Sequence, residues 1–379
     1  RSLALALAAF APDGFRVALV DAEPRDRTGE DARALALSAA TKNFLSALGV
    51  WQSLAPNAQA MTSIEITDSP LHAALRPHLL GFEAELEQNG ASAHLVEYGD
   101  LSRALAAAVA SRPGIAVFAP SRATRTAKDR FRVDVRLDGG ESLEASLVVA
   151  ADGKRSRLRE EAGIKCVGWS YPQSGIVTTV AHERPHHGKA VQHFLPSGPF
   201  AILPLTGDRS SVVWTETKAE AERIMALDEA AFVEELGARF GHRLGAIGLA
   251  GPRQSFPLDM QIARSFVAER LALIGDAAHA VHPLAGQGLN IGMRDVAALA
   301  ETIVDAARLG LDIGALPQLE RYERWRRFDS AFSAAAMDGL NRLFSNDNAP
   351  LRALRDLGLG LVDRAPALKR FLAREAAGA

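Results

Sequence analysis

Two spacings of hydrophobic residues along the chain predict a mixed α/β protein. Residues 271–274, Leu-Ala-Leu-Ile, form a short apolar run typical of a strand that is buried on both faces of a sheet. Residues 131–137 alternate apolar and polar side chains, which predicts a half-buried strand. The Asp-Gly-Gly sequence at residues 138–140 predicts a turn, and a return strand is expected over residues 143–150.

The middle of the chain has the pattern of an antiparallel sheet. Strand-like runs separated by turn residues cover residues 175–181, 190–195, 201–205 and 211–217. A helix expected around residues 227–240 would pack on the back of this sheet, because apolar residues recur there at helical spacing: Phe232, Leu236 and Phe240. After Pro317 the pattern is helical to the end of the sequence, with an interruption near residues 345–350.

The N-terminal pattern predicts part of a dinucleotide-binding βαβ unit. Residues 2–10 predict a helix, and residues 16–21 predict an apolar strand that ends in Asp21. A carboxylate at that place binds the adenosine ribose in such folds. The first strand and its GxGxxG loop are expected immediately before Arg1, so we interpret the sequence as part of a longer polypeptide. We therefore expect the strands at residues 16–21 and 271–274 to have fewer pairing partners than usual.

Composition and charge narrow the function without identifying it. The chain has 379 residues, 48% of them hydrophobic, and a formal net charge of −2, so nothing points to nucleic-acid binding. The single cysteine, Cys166, excludes an internal disulfide framework and is consistent with a reducing compartment. No segment has the roughly 18 uninterrupted apolar residues of a membrane span. No spacing of histidines or carboxylates predicts a metal site, and His186 and His187 fall in a polar loop.

The candidate chemistry lies in residues 271–295, where a buried strand leads through an aspartate to a glycine-rich helix start. Gly275 lets the chain leave the sheet, which places Asp276 at the carboxyl end of a strand. Ligands bind at that edge of open α/β sheets, and a carboxylate there can accept hydrogen bonds from a ribose or ribityl hydroxyl. Gly286 and Gly288 allow close approach of the backbone to a ligand, and the following helix N-terminus can stabilise a bound anion.

The order and spacing of these residues resemble the flavin motifs of the ubiquinone-biosynthesis hydroxylases, a branch of the class A flavoprotein monooxygenases related to para-hydroxybenzoate hydroxylase. The matching residues are Gly275, Asp276, Ala277, Ala278, His279, His282, Pro283, Gly286, Gln287, Gly288, Asn290, Gly292 and Asp295. Residues 151–156, Ala-Asp-Gly-Lys-Arg-Ser, are similar to the DG motif of the same family. An Asp-Gly pair after a strand is usually only a turn. This motif supports the resemblance because it occurs together with the Gly275-Asp276 motif.

The resemblance implies a bound FAD and the residues that would hold it. The implied cofactor-binding residues are Asp21, Arg33, Arg103, Asp152, Gly153, Gly275, Asp276, Pro283, Ala285, Gly286, Gln287, Gly288, Leu289 and Asn290. The two arginines resemble family arginines on the flavin side of the cofactor and near its phosphates or ribityl chain. The residues that would position the flavin are Pro283, Gly286, Gln287 and Gly288. No catalytic acid, base or metal is required, and His193 would assist phenol deprotonation only if it faces the flavin, whereas a strand histidine is more often structural.

The resemblance also implies the fold class and a division of the chain. We expect an α/β protein in which a Rossmann-like FAD-binding domain is interleaved with an antiparallel-sheet substrate domain and followed by a C-terminal helical region. The FAD-binding domain would comprise residues 1–60, 92–165 and 265–310, the substrate domain residues 61–91 and 166–264, and the helical region residues 311–379. One cluster in the helical region is interpreted as a solvated helix face rather than a lipid or subunit contact: Arg321, Tyr322, Arg324, Trp325, Arg326 and Arg327.

The implied activity is FAD-dependent hydroxylation of an aromatic ring with NADH or NADPH and O₂, on a polyprenylated phenol of ubiquinone biosynthesis. Two alternatives stay open: a class A flavin monooxygenase with a different small aromatic substrate, and a catalytically silent subunit of a quinone-biosynthesis assembly. A flavin halogenase would carry a WxWxI motif, and a flavin disulfide reductase would need a cysteine pair; the sequence has neither. The expected location is cytoplasmic, with peripheral contact to the inner membrane or to a quinone-biosynthesis complex, and a homo-oligomer, as open alternatives.

Overall fold

The computed structural model describes residues 1–24, 31–68, 78–81, 93–281 and 287–344. Three predicted cofactor residues, Pro283, Ala285 and Gly286, lie outside the described residues. The interruption predicted near residues 345–350 and the helix predicted after it also lie outside them.

The described elements alternate between helices and strands from the N-terminus onwards. The helices are α1 (Ser2–Phe10), α2 (Ala39–Ala47), α3 (Trp51–Leu54), α4 (Tyr98–Ala110), α5 (Arg157–Glu161), α6 (Lys218–Met225), α7 (Glu229–Phe240), α8 (Gln287–Arg308) and α9 (Leu316–Phe344). Short 3₁₀ turns occur at Ala55–Asn57 and Gly275–Ala277.

The strands before residue 160 are β1 (Val17–Val20), β2 (Ala34–Ser38), β3 (Gln59–Met61), β4 (Ser63–Asp68), β5 (His78–Gly81), β6 (Ala93–Glu97), β7 (Ile115–Phe118), β8 (Ala123–Lys128), β9 (Val133–Leu137), β10 (Ser142–Ala145) and β11 (Val148–Ala150). The later strands are β12 (Cys166–His182), β13 (Lys189–Leu195), β14 (Gly198–Leu205), β15 (Arg209–Thr217), β16 (Ile247–Leu249), β17 (Gln254–Ala263), β18 (Val267–Ala268), β19 (Leu271–Leu273) and β20 (His279–Ala280). The runs predicted in the middle of the chain are therefore strands.

Within the described residues, the largest sheet has nine strands in the order β20-β17-β12-β15-β14-β13-β4-β5, with β16 beside β12. Its pairs are antiparallel except for β13 and β4, which run parallel. We call the side that carries Val191 and Trp214 the back face, and the opposite side the front face. The back face packs on α6 and α7 through an apolar core that includes Phe232 and Leu236, as the helical spacing predicted.

The front face of the large sheet packs against the antiparallel sheet β2-β6-β3. Ala190 and Leu205 on the front face share a buried cluster with Met61, Ala93 and Leu95. Both faces of the large sheet are therefore covered by other elements. This explains why its strands are almost continuously buried rather than alternating between polar and apolar residues.

The parallel strands at the cofactor end form two small sheets, β1 with β7, and β11 with β19 and β18. The expectation of a single return strand over residues 143–150 is wrong, because the chain divides there into β10, which pairs with β9, and β11, which pairs with β19. The break occurs where the Ser146 carbonyl accepts a hydrogen bond from the Arg270 guanidinium at 2.7 Å. That bond takes the place of a sheet hydrogen bond at this carbonyl.

The expected loss of pairing partners applies to one strand of the two. In the part of the chain that the structure describes, β1 pairs with β7 alone. The same expectation for residues 271–274 is wrong, because β19 lies between β11 and β18. Its pairing with β11 brings residues from distant parts of the sequence together, as the interleaved arrangement requires, although the domain boundaries stay a prediction.

Candidate functional site

The site is built around the end of β19. Leu271 to Ile274 are all buried, and the chain leaves the sheet at Gly275, whose φ of +57° lies in the left-handed region that favours glycine. The 3₁₀ turn that follows carries Asp276 at the carboxyl end of the strand, as predicted. Helix α8 passes directly beside this turn, because a Cβ atom on Gly292 would lie 3.3 Å from the Gly275 Cα.

A buried charge network holds this turn in place. Asp295 on α8 is fully buried, and its Oδ2 accepts hydrogen bonds from the Gly275 N–H at 3.0 Å and from the His279 Nε2 at 2.5 Å. Its Oδ1 accepts a hydrogen bond from the Arg326 Nε at 2.8 Å. Sequence reasoning matched Asp295 to a motif without giving it a role. In the structure, Asp295 bonds the turn to α8, on which it lies, and connects it to α9 through Arg326.

The interpretation of the basic cluster on α9 as one solvated face is wrong for two of its members. Arg326 is only 4% exposed and Tyr322 is fully buried, with its hydroxyl donating to the Leu273 carbonyl at 2.7 Å. Trp325, in contrast, is 52% exposed. The buried residues of α9 follow a helical spacing that runs through this cluster: Leu319, Tyr322, Arg326 and Ser330. That spacing was the available signal for the buried arginine.

Asp276 is the carboxylate that the site leaves available for a ligand. It is exposed to solvent at the mouth of the site and accepts no hydrogen bond from the described residues. Protein on its remaining sides desolvates the carboxylate and raises its pKa above the ordinary value, while His279, Arg33 and Lys154 act in the opposite direction. A hydrogen-bond donor from a ligand would compensate for this desolvation.

The DG loop after β11 is organised differently from the turn after β19. The Asp152 Oδ2 accepts hydrogen bonds from the N–H groups of Arg157 at 2.9 Å and Leu158 at 3.4 Å, at the start of α5. Gly153 has a φ of +81°. The Asp152 carboxylate therefore supports the start of α5 next to the N-cap residue Ser156, and its contact with the cofactor stays a prediction.

Arg159, which sequence reasoning missed, joins the two loops. It is buried on α5, and its guanidinium donates to the Lys154 carbonyl and to the Ala277 carbonyl, both at 2.9 Å. A buried arginine satisfies several carbonyl groups at once because its donors form a rigid fork. Four of the five residues of this short helix are charged, so its sequence offered no signal that this arginine points inward.

Asp21 and Arg103 lie near the ends of β1 and α4. Asp21 Oδ1 accepts a hydrogen bond from the Glu23 N–H at 3.0 Å, and Oδ2 accepts one from the Arg1 guanidinium at 3.1 Å. The same guanidinium donates to Ser102 on α4, so the end of β1 and the first turns of α4 lie close together. Arg103 extends into solvent, with a side chain 64% exposed, and pairs with Asp100.

Arg33 precedes β2 and lies over two aromatic rings. Its guanidinium is 4.7 Å from the centre of the Tyr98 ring and 5.6 Å from that of Phe256, and it pairs with Asp31 at 2.6 Å. The hydrogen bond to Asp31 raises the pKa of Arg33. The residue lines a cavity of about 600 Å³ and is close enough to Asp276 for the two charges to interact. Arg33 is therefore placed beside the site, as expected.

The first residues of α8 complete the described part of the site. Gln287, Gly288 and Leu289 form the first helical turn, whose N–H groups have no acceptor within the helix itself. The Asn290 side chain is buried and accepts from the Ser38 N–H at 3.0 Å. It also accepts from the Thr41 hydroxyl at 2.8 Å and donates to the Ala36 carbonyl at 2.8 Å. Asn290 thus ties the helix start to β2 and α2, so its side chain positions the helix.

Comparison with known proteins identifies the family. The family model described as "FAD binding domain" matches residues 2–322. The chain belongs to this FAD-binding-domain family. Ubiquinone hydroxylase UbiL of Rhodospirillum rubrum is 43% identical over 98% of this chain and 86% of its own length. The 3-demethoxyubiquinol 3-hydroxylase of Escherichia coli is 35% identical over 99% of this chain and 95% of its own length.

Solved structures share the fold of this FAD-binding-domain protein. The p-nitrophenol 4-monooxygenase PnpA of Pseudomonas putida has a TM-score of 0.80 at 19% identity, covering 99% of this chain and 95% of that one. Together, the family and its relatives make the chain an FAD-dependent oxidoreductase of the monooxygenase class. The predicted fold class, enzyme class and cofactor are confirmed.

The described residues fit FAD. The desolvated Asp276 carboxylate suits the hydroxyl groups of the cofactor, and the start of the 22-residue helix α8 offers N–H donors next to the same turn. Asp21 supplies a second carboxylate at the end of a parallel strand. The Asp152 Oδ2 atom and the Asn290 side chain bond backbone groups, so both residues help to shape this site.

His193 does not face the cofactor side, so the expectation that it assists deprotonation of a phenol is wrong. It lies on β13 between Val191 and Leu195, which belong to the back-face core. Its Nδ1 is 2.5 Å from the Thr67 hydroxyl, and its ring is stacked with that of Phe200 at 6.3 Å. Because side chains alternate along a strand, a histidine at this position points away from the front face.

Proposed function

We propose that this enzyme hydroxylates the aromatic ring of a polyprenylated phenol in ubiquinone biosynthesis, with NADH or NADPH and O₂ as co-substrates. The proposal rests on the Asp276 turn, which Asp295 bonds to α8 close to the start of that helix. The chain that contains this turn is 43% identical to a ubiquinone hydroxylase. The match to this relative extends over 98% of the chain. We therefore assign the substrate class by similarity and the cofactor placement by geometry.

FAD, when bound, supplies the redox chemistry that activates O₂ and transfers one oxygen atom to the ring. The protein binds and orients it. Asp276 would accept hydrogen bonds from cofactor hydroxyl groups, and the N–H groups at the start of α8 would stabilise negative charge on the reduced cofactor. Both contacts depend on the Asp295 network, because Asp295 bonds the turn and lies on the same helix.

Exclusion of water would be the second task of the protein, because water near the reacting atoms diverts oxygen into hydrogen peroxide. The front face of the large sheet offers an apolar surface for this task. Phe194 on β13 stacks on Phe344 at the end of α9, with ring centres 4.1 Å apart, and Ile66 packs beside them. The end of α9 thus covers part of the front face.

The proposal is tested with FAD-loaded enzyme, NADH or NADPH, and a set of phenols with and without alkyl chains under ¹⁸O-labelled dioxygen. We expect phenol-stimulated oxidation of the nicotinamide and one labelled oxygen atom in the product. FAD bound without any product oxygen across the set would favour the silent-subunit alternative. Labelled product only from small aromatics without an alkyl chain would favour a different class A substrate.

Contact with a membrane surface is a second, finer proposal, carried by the outer face of α9. None of the helices in the described ranges has both the length and the apolar content that crossing a membrane requires. On α9, however, Trp325, Phe328 and Phe332 are 52%, 77% and 64% exposed, and they share one helix face with Arg321. Exposed aromatic residues beside arginines suit the interface of an anionic membrane.

Co-sedimentation with vesicles tests this contact. We expect the wild-type enzyme to bind phosphatidylglycerol-containing vesicles more strongly than pure phosphatidylcholine vesicles. The double variant Phe328→Ser/Phe332→Ser should lose most of this binding while its FAD content stays unchanged. Equal binding of the variant, or a change in oligomeric state without loss of vesicle binding, would assign this face to contact between protein chains.

A further inference from the structure

Gln192 carries a buried hydrogen-bond donor for which the described residues offer no acceptor. Its side-chain Nε2 is inaccessible to solvent and has no hydrogen-bond partner in the part of the chain that the structure describes. Buried polar atoms are almost always paired, so an unpaired amide indicates a partner that the described residues do not supply. That partner is typically an ordered water molecule or a ligand that brings its own acceptor.

The position of Gln192 on the sheet indicates which side of the molecule this donor serves. It lies on β13 between Val191 and His193, both of which belong to the back face. Because side chains alternate along a strand, Gln192 projects from the front face. Its sheet neighbours are Ala201 on β14 and Ile66 on β4.

The Gln192 amide lies between two packing contacts of the front face. One row away on the front face, Ala190 packs on the sheet β2-β6-β3 through Leu95. One row away in the other direction, Phe194 stacks on Phe344 of α9. The strand β2 is the same one that Asn290 ties to the start of α8. Gln192 therefore lies on the front face, within the region bounded by the elements that hold the cofactor site.

Two buried polar groups of the back face, in contrast, have hydrogen-bond partners within the protein. His182 bonds the Ser210 hydroxyl through Nε2 at 3.1 Å, and the Trp214 Nε1 donates to the Glu216 carboxylate at 2.9 Å. On the front face, the Ser211 hydroxyl is a second buried atom without a partner among the described residues. Gln192 and Ser211 thus both lie on the side that faces the cofactor elements, where a polar ligand group would satisfy them. Other buried atoms without a partner among the described residues lie on other elements: His94 Nδ1, His279 Nδ1 and Ser330 Oγ.

We infer that Gln192 binds the aromatic substrate by donating a hydrogen bond from its amide to an oxygen atom on the ring. This inference rests on the proposed function, since it assumes a phenolic substrate. An uncharged amide donor suits a phenol, a phenolate or a ring carbonyl oxygen, and it rejects an analogue that lacks the oxygen, because the amide is then left unpaired. Gln192 is therefore a residue that orients the ring and selects for an oxygen substituent.

A comparison of two ligands in two variants tests the inference. The ligands are a 4-alkylphenol and the alkylbenzene with the same chain, and binding to FAD-loaded enzyme is followed by the change in flavin absorbance, without turnover. Gln192→Met keeps the length of the side chain and removes the donor, and Gln192→Leu serves as a second variant if the first does not fold. His193→Gln is the matched control, because it alters the same strand on the opposite face.

We expect Gln192→Met to weaken binding of the alkylphenol about tenfold and to leave that of the alkylbenzene within about twofold. The control should bind both ligands as the wild type does. Less product per oxidised nicotinamide is expected with the phenol, because the ring is no longer held in one orientation. Equal losses for both ligands, or no loss for either, would overturn the assignment of Gln192. Wild-type enzyme that binds neither ligand would overturn the proposed function as well.

Discussion

Two loops that look alike in the sequence, the turn after β19 and the DG loop after β11, use their aspartates in opposite ways. Each places an aspartate directly after a parallel strand, and the two strands are neighbours in one sheet. Asp152 caps α5 with its carboxylate, whereas Asp276 accepts no hydrogen bond from the described residues. The turn around Asp276 is instead supported by Asp295, which accepts a hydrogen bond from the Gly275 N–H. The Asp276 carboxylate therefore stays available to a ligand.

In the turn after β19, the carboxylate that is available to a ligand and the carboxylate that supports the turn belong to different residues. In the turn after β19, the supporting charge is Asp295 and the exposed charge is Asp276. In the DG loop, the aspartate that follows the strand performs the supporting role itself.

The largest effect is expected when the support of the Asp276 turn is removed. Arg326→Met leaves the Asp295 carboxylate buried without its arginine, and breaking such a pair costs about 3–5 kcal/mol. Arg321→Met, on the exposed side of the same helix, removes surface ion pairs and should cost less than about 1 kcal/mol. The urea midpoints of the FAD-free proteins measure this difference. Similar midpoints for the two variants would show that the buried network does not stabilise the protein more than the surface ion pairs do.

A smaller loss of stability is expected from the DG loop. Asp152→Ala removes the acceptor for the N–H groups of Arg157 and Leu158, and loss of such a cap costs about 1 kcal/mol. Asp152→Asn keeps a capping oxygen and should restore most of the stability. Urea unfolding again provides the measurement, and an alanine variant as stable as the wild type would count against the capping role.

The smallest stability effect is the pH dependence that Asp276 contributes. Its folded-state pKa is raised above the ordinary value of 3.8 by desolvation, so the unfolded chain loses this proton first as the pH rises. The FAD-free wild type should therefore lose stability relative to Asp276→Asn as the pH increases through this range. Unfolding midpoints between pH 4 and pH 7 test the sign. A wild type that gains stability over the asparagine variant with rising pH would contradict it.

Much of the fold could be predicted because its strongest signals are local. Four consecutive apolar residues in a chain of mixed composition sufficed for β19, and helical spacing sufficed for α7. The resemblance located the Asp276 turn and the cofactor. What could not be predicted was the use of each charged group, because Asp152 and Asp276 both stand beside a glycine after a parallel strand and differ in the long-range contacts around them.

The orientation of side chains on the large sheet was also beyond the sequence. Residues 189–195 are almost all buried, because both faces of β13 are covered. Without an alternation of polar and apolar residues, nothing in this strand indicates that His193 lies on the back face and Gln192 on the front. The buried arginine of α9 stands among exposed arginines in the sequence, and only the helical spacing of the buried residues around it indicated its orientation.

The most direct test of the contrast between the two loops is the affinity for FAD of Asp276→Ala and Asp152→Ala, measured side by side by fluorescence titration of FAD-free protein. A charged group that accepts a ligand hydrogen bond contributes about 1.5–3 kcal/mol, so Asp276→Ala should bind FAD at least about tenfold more weakly than the wild type. Asp152→Ala should stay within about threefold of the wild type. Undiminished affinity in Asp276→Ala, or an equal loss in both variants, would contradict the claim that Asp276 is held free for the cofactor.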